Sequence, residues 1–267
     1  MERMSSLVRA FALLMSMLAA VVPAMAGDPA PSRVLVVLSS VEQLAGTPAP
    51  TGNYLREVAL PVSMFEAAGL AVDVVSPRGG ATLVRGNVAY GMADDVAGHP
   101  VLSTFAAQRL RDDRMAALSP GRIDAAHFRA VFFAGSLGAL VDLARDSAIA
   151  RIAADVHRRG GVVAFSGHGI AALPAIIDAD GKALVAGRRV AVFKRSEDVA
   201  FFEAHLGWHD VLPYHVENRL REAGAVIASG EDYGVVVLED DRILTGQNAA
   251  SVEALAAKVI ERLAARR

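Results

Sequence analysis

Between residues 33 and 39 the chain reads Arg33-Val34-Leu35-Val36-Val37-Leu38-Ser39, apolar at every interior position. A run this short and this uniformly apolar is the pattern of a strand buried on both faces of a sheet. Similar runs recur at Ala71 to Val75, Ala130 to Phe133, Val162 to Phe165 and Arg189 to Phe193. Between them the period changes from two to 3.6. Tyr54 to Ala68 puts Leu55, Val58, Ala59, Val62, Phe65 and Ala68 on one face and stops at Gly69, which predicts a helix. Ser147 to Arg158 and Ala250 to Ala264 predict two more, the second closing the chain, and a further helix is expected from Ile170 onward. Gly234 to Leu238 and Arg242 to Thr245 flank Glu239-Asp240-Asp241 and predict a hairpin. Strands alternating with helices, joined by right-handed crossovers, give an α/β fold: one domain over 33–267 with a doubly wound, mostly parallel sheet sandwiched by helices.

The first 26 residues have a different pattern. Arg3 and Arg9 precede an apolar run from Ala10 to Val22, and Ala24-Met25-Ala26 is a small-x-small site before Gly27-Asp28-Pro29. This is the form of a secretory signal peptide cleaved after Ala26, followed by a short linker over 27–32. The run falls short of the roughly 20 apolar residues a membrane span needs. No stable anchor is therefore expected after cleavage, and the expected location is the periplasm or the medium. The net charge of -2 becomes -3, because two arginines and Glu2 leave with the segment.

Composition narrows the chemistry. The 267 residues hold 27 Lys and Arg against 29 Asp and Glu, 53% hydrophobic residues and no cysteine. Disorder and a basic nucleic-acid surface are excluded, and so are disulfides, cysteine-ligated metals and thiol catalysis. No cofactor is expected.

In a sheet of this kind the site lies at the carboxyl ends of the strands. Four such ends can be read: Ser39-Ser40-Val41, Ser76-Pro77-Arg78, Gly135-Ser136-Leu137-Gly138 and Ser166-Gly167-His168-Gly169. The last, a run of small residues between an apolar strand and a helix, has the form of a nucleophile elbow, with His168 at the helix start.

These segments resemble the ThiJ/PfpI superfamily, with its flavodoxin-like, class I glutamine-amidotransferase-like fold, and within it the chaperone-like and glyoxalase-like branch. Thr51-Gly52-Asn53-Tyr54-Leu55-Arg56-Glu57 followed by Pro61 is similar to that branch's T-G-x-x-x-x-E segment, and Val72 to Gly80 to its V-D-x-x-S-P-x-G-G turn. Gly181-Lys182 through Val190, Leu212-Pro213-Tyr214 through Glu217, and Leu244 to Asn248 match later stretches. The resemblance implies a cysteine at the elbow, a glutamate beside it, a histidine after it and an acid orienting that histidine. Those positions fall on Gly167, Glu57, His168, and Glu197 or Asp198. Two more depart from the pattern: Leu137 and Leu60 stand where the family often has histidine. The pocket backbone is expected from Gly135, Ser136, Gly138 and Gly169.

Without the sulfur, thiolate attack has no nucleophile, and deleting the nucleophile of a comparable triad costs about a millionfold in rate. Cysteine-dependent proteolysis, amidotransfer, deglycation and glyoxalase activity are therefore not expected. The favoured reading is an exported, non-catalytic protein with a small-molecule-binding, chaperone-like or stress-response role, and the family implies a homodimer. The alternative is an enzyme of the glyoxalase, hydratase or amidase type, using Glu57 and His168 for acid–base chemistry on a small carbonyl or amide, with Ser166 a weak substitute nucleophile. Ser166 reads better as a small residue ending a strand and Glu57 better as a buried carboxyl that is neutral or hydrogen-bonded to backbone N–H, while His168 reads equally as a packing residue. His205, Trp208, His209, Asp210, Tyr214 and His215 suggest metal binding, but no third ligand can be placed; no metal is expected, and a cap over the pocket or a dimer contact is the preferred reading.

Overall fold

The structure, a computed structural model, describes residues 32–44, 51–86, 96–209 and 211–265. The leader over 1–26, nearly all of the linker, and Asp210 lie outside these residues. Strand β1 (Arg33–Val37) is followed by the two-residue β2 (Asn53–Tyr54), helix α1 (Leu55–Ala67), β3 (Ala71–Val75) and β4 (Gly80–Arg85). Then come α2 (Pro100–Arg109), β5 (Arg114–Ala117), β6 (Phe128–Phe133), α3 (Ser147–Arg158) and β7 (Val162–Ser166). The last third holds β8 (Arg189–Val190), α4 (Arg195–Leu206), α5 (Val216–Glu222), β9 (Val226–Ile227), the hairpin β10 (Val237–Asp240) and β11 (Ile243–Gly246), and α6 (Val252–Ala264).

The main sheet runs β10-β11-β7-β6-β1-β3, parallel throughout except for the β10–β11 hairpin at one edge. Period-two side-chain alternation divides its apolar residues between two layers. Leu35, Val37, Val131, Phe133, Val163 and Phe165 face α3, where Ile149, Ile152, Ala153 and Val156 pack. Val34, Val36, Ala130, Phe132 and Ala164 face α1 and α6, where Val58, Val62, Phe65, Leu255 and Val259 close the second core. This is why the strand runs showed no polar face: both sides are covered, as the sequence predicted.

Three expectations are corrected, and one element had no expectation at all. Arg189 to Phe193 does not join the sheet. Only Arg189–Val190 is extended, and it pairs with β9 in a separate two-stranded ladder. The edge position is already held by β10, and the hairpin's side chains take the incoming donors: Asp240 Oδ2 accepts from Arg189 N at 2.8 Å and Thr245 Oγ1 from Ala191 N at 2.9 Å. The segment after the elbow is a 3-10 run, Gly167–Ala175, rather than an α-helix. Pro174 lies inside it, and proline lacks the N–H that an α-helical ladder needs at that point. The hairpin turn is two residues, Asp241 and Arg242, with Asp241 at φ +57, so both strands begin later than the pattern implied. A second sheet, β2-β4-β5, gave no hydrophobic signal, being short and half-exposed, yet it forms one wall of the site.

Candidate functional site

The carboxyl ends of β6 and β7 meet α1, and Glu57 is driven into that junction. It sits in the first turn of α1 and is 6% exposed. Its carboxyl lies directly over Gly135, where a Cβ would overlap it, so the glycine after β6 makes room for the glutamate. Ser166, fully buried at the end of β7, donates its hydroxyl to Glu57 Oε1 at 2.7 Å. Burial pushes the Glu57 carboxyl up; the Ser166 hydrogen bond and the charge of His168 only partly offset it, leaving the pKa above 4.5.

Gly167 adopts φ +48, a left-handed conformation that costs a side-chain-bearing residue roughly 1 kcal/mol or more. A Cβ there would point at Glu57, 2.8 Å from Oε1. The turn is thus a sharp strand-to-helix elbow aimed at a carboxyl, with no side chain on it. Gly169 supports it: a Cβ would fall 2.7 Å from the Phe133 carbonyl oxygen.

The choice between the two acids is resolved by α4. His168 Nε2 lies 2.9 Å from Asp198 Oδ1 and its ring stacks on Phe193 at 4.3 Å. Burial pulls the imidazole down, but the charge and hydrogen bond of Asp198, with the charges of Glu57 and Glu197, more than reverse this, so its pKa lies above 6.5. Burial likewise opposes ionisation of Asp198, and His168 and His215 together hold its pKa below 3.8. His215 Nδ1 lies 3.5 Å from Asp198 Oδ2, so one carboxylate sits between two imidazoles. Glu197 faces the other way. It accepts from Lys194 N, Tyr233 N and Asn248 Nδ2 at 2.9, 2.6 and 2.7 Å, and from Gln247 Nε2 at 3.2 Å. It joins the start of α4 to the loop before β10 and to the residues after β11.

Glu57, His168 and Asp198 share a cavity of about 570 Å³. Leu137, Phe193, Phe201 and Phe202 give it an apolar wall, while Thr51, Arg85, Ser136, His205, Tyr233 and Asn248 add polar groups. Ser166 does not line it. Gly135, Gly138 and Gly169 lie behind the wall, and only Ser136 of the expected pocket backbone reaches the cavity. Leu60 is also outside it, packed in the α1–α6 core.

The histidine and aromatic group does not act as a single cap. His205 lines the cavity, Tyr214 donates to the Leu140 carbonyl at 2.8 Å, Trp208 stacks on Phe202, and exposed His209 pairs with Glu203. Among the described residues no group of three His, Asp or Glu side chains is arranged to hold a metal. Thr51 belongs to the quoted T-G segment, but Arg85 and Phe201 had no local signal, since each reaches the cavity only through tertiary packing.

No family model matches the chain. The glutamine amidotransferase-like class 1 domain-containing protein 1 of Bos taurus is 33% identical over 132 residues, covering 48% of this chain, which spans only 56% of that relative's length. The glutathione-independent glyoxalase HSP31 of Saccharomyces cerevisiae is 27% identical over 246 residues, 88% of this chain and 99% of that protein. Among solved structures, the Francisella tularensis Rapid Encystment Protein 24 kDa has a TM-score of 0.75 at 25% identity over 87% of this chain and 99% of its own. Glyoxalase III of Candida albicans, at 22% identity and a TM-score of 0.70 over 86% and 96%, shares the fold. The mostly parallel sheet flanked by helices, with its elbow at the end of β7, matches the class I glutamine amidotransferase-like fold of these neighbours. The relatives and structural neighbours place this chain in the ThiJ/PfpI/DJ-1 superfamily of that class.

Proposed function

We propose that this protein binds a small molecule in the Glu57–His168 cavity and performs none of the cysteine-dependent chemistry associated with its fold. The observation that carries the reading is Gly167: the elbow keeps its left-handed turn and its aim at Glu57, but presents no side chain and no other residue supplies a thiol. Ser166 offers no replacement, since its hydroxyl is turned into the protein and spent on Glu57. The cavity volume lies within the roughly 300–1,000 Å³ of small-ligand sites. Its one-sided aromatic wall suits an apolar body, and its polar end suits a functional group that orients it. Export after removal of the 26-residue leader, a stress-response role and a homodimer complete the reading.

Incubated with methylglyoxal, the mature protein is expected to give no lactate above a no-protein control. Turnover that survives repeated purification overturns the reading. One observation favours the enzymatic alternative: Glu57, whose pKa burial raises, and His168, whose pKa Asp198 raises, open onto the same cavity. Such turnover, abolished by Glu57→Gln, would establish that alternative.

A further inference from the structure

We infer that the ligand of this cavity is a small organic carboxylate, its anionic group held between Arg85 and Thr51 and its apolar body laid against Phe193 and Phe201. This deepens the binding reading and rests on it.

Arg85 ends β4 opposite Tyr54 of β2, and its stem lies over Gly52, where a Cβ would fall 3.1 Å from Arg85 Cγ and Cδ. The absent side chain at 52 lets the stem lie flat and carries the guanidinium to the cavity. Arg85 Nε is buried with no hydrogen-bond partner, and among the described residues no carboxylate pairs with the guanidinium. Thr51, one residue before Gly52, is 3% exposed, lines the same cavity, and has a hydroxyl with no partner among the described residues. Two side chains of one cavity lining that each carry a buried polar atom with no partner among the described residues are unusual in a folded interior, and we take them as the place where an external partner completes the bonding.

Charge decides what that partner is. Of the two acids lining the cavity, Asp198 is spent on His168 and His215, and Glu57 accepts the Ser166 hydroxyl in a buried setting that pushes its carboxyl pKa up. Arg85 is left as the cation with no counter-charge. Its planar fork matches a carboxylate in two parallel hydrogen bonds, which a neutral carbonyl cannot match, and the Thr51 hydroxyl supplies a further donor. Phe193, Phe201 and Leu137 offer only contact area, so the rest of the ligand is apolar.

The test is calorimetric titration of the mature protein with 3-phenylpropionate and with its neutral isostere 3-phenylpropanamide. The acid is expected to bind at least about tenfold more tightly than the amide, the difference a charge-assisted pair supplies. Arg85→Gln is expected to bring the two to equal affinity, and Thr51→Val to weaken both, the acid more than the amide. Equal affinities in the wild type overturn the inference but leave the cavity as a binding site. Binding of neither probe overturns the inference and removes the support for a binding function as well. If Arg85→Gln fails to fold, the wild-type comparison and Thr51→Val still decide the matter.

Discussion

The Ser166 hydroxyl donates to Glu57 Oε1 at 2.7 Å, across 109 positions of sequence, and joins the end of β7 to the first turn of α1 beneath the elbow. Both groups are buried, so each depends on the other for satisfaction. Ser166→Ala leaves the carboxyl short of a donor, and a loss of about 1–2 kcal/mol is expected in urea unfolding. Glu57→Gln keeps the shape and removes the ionisation.

That ionisation has a pH signature. Because burial raises the Glu57 pKa in the folded state, the folded chain holds a proton the unfolded chain releases near 4.5. The associated stability is whole below 4.5 and is lost as pH rises through the raised value. Glu57→Gln is expected to remove this slope from a urea-midpoint profile.

His168 and Asp198 act at the two ends of the scale. His168, raised above 6.5, contributes stability that is whole below 6.5 and is lost as pH climbs through its folded pKa. Asp198, held below 3.8, contributes stability present above 3.8 and lost as pH falls. Asp198→Asn is expected to lower the midpoint most between these limits and to remove the alkaline decline that belongs to His168.

Gly167→Ala is expected to destabilise by about 1–2 kcal/mol from backbone conformation alone. The approach of the new Cβ to Glu57 adds to this, since the two would lie 2.8 Å apart. In a double-mutant cycle with Glu57→Ala, part of the cost should vanish, and the recovered part measures the overlap. A purely additive cycle would mean that backbone strain accounts for all of it.

Glu197 and Asp198 should separate cleanly. Glu197 accepts hydrogen bonds from four residues and touches no histidine, so Glu197→Ala is expected to cost about 3 kcal/mol or more by leaving several buried donors unpaired. Thermal unfolding should register it strongly, while the histidine NMR shifts that report on His168 should move far more in Asp198→Asn.

Much of the framework was legible in the chain. Strands buried on both faces have no polar side to confuse their reading, so the run Val162 to Phe165 reappears in β7, and the amphipathic period of Ser147–Arg158 marks a helix with the bounds its pattern implied. Arg189 to Phe193 carried the same apolar signal, but a pattern records the wish to be buried and not the partner, and the hairpin had already taken the edge. The wall formed by β2 and β4 was invisible because a two-residue strand has no period to detect.

The sequence by itself determined that strand and helix alternate, that small residues make an elbow after Phe165, and that no cysteine occupies it. All of these are local properties of the chain. Tertiary structure alone decided which acid serves His168: neighbours on a helix diverge by about 100°, so packing turns Asp198 toward the cavity and Glu197 toward the loops. It also decided that Ser166 faces Glu57, and that Thr51 and Arg85 come together unsatisfied at the cavity wall. Those outcomes depend on which segments meet in space, and nothing in any one segment specifies that meeting.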